Sequence, residues 1–200
     1  MQAAIDQFRA NMDRVSNLGA IHNALKAQTT QAIDLSDILR ATLVMAVSAL
    51  DHYVHEVVRL GMLEVYRGNR AQTPAFLRFT ISLESALQGI SIPTSEDWLD
   101  NEIRIRHGWQ SFQQADKIAD AIRLISDIRL WEEVANHFGR TLQDVKTQLN
   151  LIVDRRNKIA HEADIDPILP SRRWPIDEIV VDDAIHFIEQ IAETIYQILT

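Results

Sequence analysis

The chain has 200 residues, a net charge of −8, 46% apolar and 24% charged residues, and no cysteine. That length allows one domain with a substantial core, and the missing cysteines exclude disulfides, thiolate metal sites and cysteine nucleophiles. The negative balance argues against a broad, sequence-blind nucleic-acid binder, whose affinity would come from many phosphate contacts, but leaves room for a small basic cleft on an acidic body.

Glycine (6) and proline (5) are scarce, and apolar residues recur at steps of three and four, the period of a helix. The pattern predicts an all-α chain forming a single domain over 1–200. A first helix or helix pair covers 2–29, with Gly19 as a break. Asp34 or Ser36 caps a second helix reaching Tyr66, with Leu39, Leu43, Ala46, Leu50, Val54, Val57 and Gly61 on one face. Arg67-Gly68-Asn69 ends it. Thr73-Pro74 starts a helix to about Gln88, and Pro93 to Asp97 opens another to about Gln114. A segment over 116–125 and a helix from Asp127 to Phe138-Gly139 follow. The stretch 74–125 reads as a helical insertion on a bundle formed by the rest. Thr141 caps the next helix, which runs to Glu162. A proline-containing loop, 163–181, leads to a last helix capped by Asp182 or Asp183. A loop this long is usually functional or mobile.

No stretch approaches about 18 uninterrupted apolar residues, and the first residues lack a basic region followed by an apolar run. A soluble, cytoplasmic protein without a membrane partner is expected.

The residues that point to chemistry are Arg156-Asn157-Lys158-Ile159-Ala160-His161, near the end of the helix capped by Thr141. With Val145 as zero, Leu149, Ile152 and Ile159 lie within about 40°, and Arg156 lies at about 20°. A guanidinium in an apolar stripe is costly unless paired or used. Asn157 and His161 are four apart and share a face. Arginine with histidine suits phosphate chemistry, a planar donor fork beside a base that titrates near neutrality. Two readings of Arg156 stand: a structural ion pair with Asp51 of the second helix, with Glu56 further round, or stabilisation of phosphate charge. Arg156 and His161, five apart, point about 140° from each other on an ideal helix. A site using both therefore needs either a distorted helix end or the motif of a second chain, and a composite site at the cleft of a twofold homodimer is the favoured expectation. Arg155 and Lys158, with Arg172 and Arg173 of the long loop, are the candidate substrate-binding cations.

Other constellations carry less. His52, His55 and Glu56 fit no zinc motif, so no metal is assigned, and no phosphate loop, nucleophile elbow or dinucleotide fingerprint implies a cofactor. Trp98, Trp109 and Trp131 are expected on helices, in the core or an interface. Trp174 is the aromatic with a ligand role open to it.

Arg156 to His161 matches the Arg-x4–6-His motif of the HEPN superfamily. The wider stretch Leu151–Asp164 resembles the motif helix of the bacterial RiboL-PSP-type and MAE_28990-type branches. So do 131–139 and 48–56, and the resemblance covers roughly 36–66 and 127–199. It implies a HEPN-like helical bundle, commonly dimeric, with two motifs facing across a cleft. It also implies a metal-independent endoribonuclease in which His161 assists the ribose 2′-hydroxyl or the leaving oxygen, Arg156 supports the phosphate, and Asn157 is the accompanying polar residue. The expected product carries a 2′,3′-cyclic phosphate. RNA is the expected partner, and such proteins often act as toxins or in phage defence, held by an antitoxin or other regulatory protein. The competing reading is a non-catalytic helical module that dimerises or binds nucleotide or RNA.

Overall fold

A computed structural model describes residues 1–30 and 32–200. Among the described residues there are nine helices and no strand. They are α1 (Gln2–Gln28), α2 (Ser36–Tyr66), α3 (Pro74–Leu77), α4 (Leu83–Ser91), α5 (Asp97–His107), α6 (Ala115–Ile122), α7 (Leu130–Phe138), α8 (Leu142–Glu162) and α9 (Glu178–Leu199).

Helix α2 is the axis of the bundle. Its buried residues include Leu39, Leu43, Ala46, Val47, Leu50, Tyr53, Val54, Val57, Val58 and Met62. That is too wide a face for a surface helix, and α1, α5, α6, α8 and α9 all pack on it. The middle of the chain shares this core. Leu99, Ile103, Ile118, Ile122 and Ile125 belong to the same buried cluster as Leu50, Val145 and Ile188. Gly61 allows the close approach, since a Cβ there would lie 2.7 Å from Cγ2 of Ile125.

Local chemistry explains several boundaries. Asp34 accepts a hydrogen bond from Ser36 N, Thr141 from Asp144 N and Asp177 from Val180 N. Gly139 ends α7 with φ 62°, a left-handed conformation that glycine adopts without penalty.

Several boundaries differ from the sequence expectation. Helix α1 continues through Gly19, where nothing crowds the backbone. The expected helix from Pro74 to Gln88 divides into α3 and α4, because Ser82 leaves the helix to cap α4 and its N–H and hydroxyl both bond Glu102. Helix α5 stops at His107 rather than near Gln114, and residues 108–114 run as a wall held by tertiary bonds. Helix α9 starts four residues before Asp182, capped by Asp177.

The segment 163–177 is a tied strap. Ala163 and Asp164 take left-handed φ values of 52° and 59° at the end of α8. Residues 165 and 173 form an isolated antiparallel bridge, and Trp174 N donates to Asp164 O at 2.9 Å. The Asp164 side chain is 0% exposed. Its Oδ2 accepts from Arg40 Nε at 2.7 Å and from Arg155 Nη2 at 2.9 Å. Arg40 also donates to Trp174 O at 2.8 Å and to Ser36 Oγ at 2.6 Å. One carboxylate thus ties α8, α2 and the strap together.

Replacing Asp164 with Asn should cost about 3–5 kcal/mol of unfolding free energy, because it removes the buried counter-charge of Arg40 and leaves only the exposed Asp37, at 3.9 Å. Removing Arg173, which pairs with Asp34 and Asp37 on the surface, should cost under about 1 kcal/mol. Urea unfolding of the two variants measures the difference, and equal losses would contradict it.

Candidate functional site

The face of α8 that enters the core is Val145, Leu149 and Val153. Continuing that row by four residues reaches Asn157 and then His161, so one row passes from packing to a solvent-facing site. Arg156 follows Val153 by three and lies beside the row. Val153, Arg156, Asn157 and His161 all line one cleft of about 580 Å³. The 140° separation of Arg156 and His161 is therefore no bar to a shared site. Asn157 lies between them, and the arginine side chain is long enough to reach the cleft. The two side chains share a cleft within one chain, with α8 helical through Glu162.

Arg156 has no carboxylate within 4.0 Å among the described residues. Its Nη1 donates to Asn157 Oδ1 at 3.0 Å, and its buried Nε has no partner. A charged donor left so is available for an anion. His161 is exposed at the cleft.

The opposite wall is Trp109, Gln110, Ser111, Gln113 and Gln114, with Lys117 of α6 beyond. Among the described residues, no carboxylate lines this cleft. Four other clefts of comparable size each carry at least two: Glu189 and Glu193; Glu96 and Asp97; Asp34, Asp177 and Glu178; and Asp116, Asp127 and Glu132. On a chain of net charge −8, the cleft with Arg156 is thus suited to an anionic ligand.

The wall is held from behind. Asp51 Oδ1 accepts from Phe112 N at 2.6 Å and Oδ2 from Gln113 Nε2 at 2.9 Å. Asn150 of α8 accepts from Ala115 N at 3.0 Å, and Trp131 Nε1 donates to Ala115 O at 2.7 Å. His55 packs on Phe112 with ring centroids 4.4 Å apart, and His107 packs edge-on to Phe112 and Phe79. Burial, reinforced by repulsion from His55, pushes the His107 imidazole down to about 4.

The remaining expected residues fall elsewhere. Asp51 does not pair with Arg156, since its oxygens serve the wall. Glu56 pairs with Arg59, whose nearby guanidinium holds its carboxyl below the usual range despite burial. Arg155 is occupied by Asp164 and by the carbonyls of Trp174 and Pro175. Lys158 pairs with Asp154 at 2.9 Å and sits 5.8 Å from the Trp174 ring centroid. Arg173 is engaged by Asp34 and Asp37, and Arg172 lies on the exposed strap. None of these four cations lines the cleft with Arg156. Trp174 is tied into the strap. Trp131 is buried as expected, whereas Trp109 lies off the helices and is 80% exposed. Sequence reading missed Lys117 and the whole 109–114 wall. The only local sign was Gly108, an available stop within the helix extended to Gln114.

The RiboL-PSP-HEPN family model matches residues 9–200, nearly the whole chain and including its middle segment. The chain belongs to this family, a HEPN-type all-helical domain. Membership associates it with nucleotide- or RNA-related roles, often those of ribonucleases. Comparisons with curated proteins and with solved structures give no match. Among the described residues, no helix is long and apolar enough to cross a membrane.

His107 makes stability depend on acid. The unfolded imidazole takes up a proton as pH falls below about 6.5, whereas the folded one resists until about 4. Stability should therefore fall through that window, by at most roughly 3 kcal/mol, and level off below it. Urea unfolding at pH 7 and pH 4.5 should show a smaller loss for His107→Phe than for the parent chain.

Proposed function

We propose that the protein is a metal-independent endoribonuclease, with Arg156 supporting the scissile phosphate, Asn157 orienting that arginine, and His161 moving a proton. The observation that carries this reading is an unpaired Arg156 guanidinium sharing a carboxylate-free cleft with Asn157 and His161. A structural ion pair would have consumed the arginine, and no carboxylate does so among the described residues.

The reaction is a transesterification. The ribose 2′-oxygen attacks phosphorus, the bond to the 5′-oxygen breaks, and a 2′,3′-cyclic phosphate and a 5′-hydroxyl result. Neutral His161 can take the 2′-hydroxyl proton, or its protonated form can supply one to the leaving oxygen, help worth about 10²–10⁴-fold. Arg156 faces charge that grows on the phosphoryl oxygens in the transition state, where a preoriented cation is most effective. Single-stranded or looped RNA is the substrate class, because its backbone and 2′-hydroxyl are accessible. Within the same reading, the protein works in the cytoplasm as a toxin or phage-defence nuclease restrained by a regulatory partner. A homodimer is carried over from the family alone, since one chain brings Arg156 and His161 to the same cleft. The alternative, a module that only binds RNA or nucleotide, would use the same cations without proton transfer.

Purified protein incubated with mixed RNA in excess EDTA should release fragments with cyclic phosphate ends. His161→Ala and Arg156→Ala should each lower the rate by at least about 10²-fold without loss of thermal stability. Equal cleavage by His161→Ala and the parent chain would remove His161 from the mechanism. Binding without cleavage by any form would favour the binding module.

A further inference from the structure

The wall facing Arg156 has features that phosphate chemistry alone does not require. Trp109 is 80% exposed, although it lines the cleft. Beside it, Gln113 is only 5% exposed and lines the same cleft. Its Nε2 donates to the Asp51 carboxylate at 2.9 Å. Gln110 Nε2 donates to Arg106 O at 3.0 Å. A carboxylate and a carbonyl only accept, so both amide orientations are set by chemistry. The Oε1 atoms of Gln110 and Gln113 have no protein partner among the described residues. The wall therefore offers one aromatic face and two hydrogen-bond acceptors. Lys117 and Arg156, neither in an ion pair among the described residues, add cations to the same cleft.

We propose that residues 109–113 form a seat for one unpaired base of the bound strand, stacked on Trp109, and that Gln110 and Gln113 favour a base whose edge carries an amino group. Stacking suits any base, because each has a π-face. Selection comes from the acceptors. Cytosine and adenine present an amino donor, whereas uracil presents carbonyl oxygens and a single N–H. Against two fixed acceptors, uracil's oxygens are poorly matched. The inference rests on the ribonuclease reading in one respect: it takes the seated base to belong to the strand whose phosphate meets Arg156.

The test uses the whole chain and labelled, uncleavable 2′-deoxy oligonucleotides of about eight residues, one of deoxycytidine and one of deoxyuridine. Binding is read by fluorescence anisotropy. The deoxycytidine strand should bind about tenfold more tightly than the deoxyuridine strand. Trp109→Ala should weaken both by about tenfold, and Trp109→Phe should recover most of that loss. Gln110→Ala should bring the two affinities together while leaving deoxyuridine binding unchanged. Both positions are outside the core, so folding is not at stake. No measurable binding, equal affinity of the parent chain for the two strands, or an unaltered affinity in Trp109→Ala would each overturn the proposal. The two readings fail separately. If the base preference appears but no RNA is cut, the seat stands and the nuclease reading falls. If RNA is cut and Trp109→Ala changes neither binding nor KM, the seat falls alone.

Discussion

Asp164 sits just past the end of α8, where a carboxylate meets the negative end of the helix dipole and should be disfavoured. It is also fully buried, in a left-handed conformation uncommon for a residue with a side chain. Arg40 and Arg155 reverse that balance by placing two guanidinium groups on one of its oxygens. The arrangement specifies where α8 ends relative to α2. His161 is three residues before Asp164, so the same tie sets the height at which its imidazole meets the cleft. Because buried ion clusters gain little over a packed apolar core, the cluster's contribution is better described as register than as stability.

The second support comes from the other side. Asp51 holds the 109–114 wall, and Asn150 holds the first peptide of α6 against α8. Both sides of the cleft are therefore fastened to α2 or α8. Arg156 and the wall that faces it are placed by separate sets of bonds, neither of which uses the Arg156 guanidinium. The group most suited to phosphate is thus left out of the bonds that hold the fold.

What could be read from sequence follows from the range of the interactions involved. Helix α8, its Thr141 cap and its motif were legible because periodicity and capping act within a few residues. The helix α2 stripe was legible for the same reason. The tie that orders the strap was not legible because its anchor joins residues 124 apart, Arg40 and Asp164. The 109–114 wall was misread as helix because Asp51, far away in the chain, competes for Phe112 N. Local propensity cannot report a bond whose acceptor lies on another element. The pairing of Arg156 with Asp51 failed for the same reason: the helical wheel showed which faces were apolar, but not which backbone donor would reach the carboxylate first.

The acidity of the chain can be reconciled with an RNA substrate by looking at where its charge lies. Many carboxylates are already paired, among them Glu56 with Arg59, Glu102 with Arg106 and Glu193 with Arg9. Others line clefts other than the one with Arg156. The lining of the proposed site itself carries Arg156 and Lys117 and, among the described residues, no carboxylate, while the net charge of the body repels a polyanion. Such a surface would bind long duplexes weakly, since their affinity comes from many phosphate contacts spread over a large area. A short unpaired segment needs only a few contacts and enters where the repulsion is least. On the proposed reading, net charge and cleft composition act together: the first discourages indiscriminate binding, and the second favours a short anionic segment at the cleft.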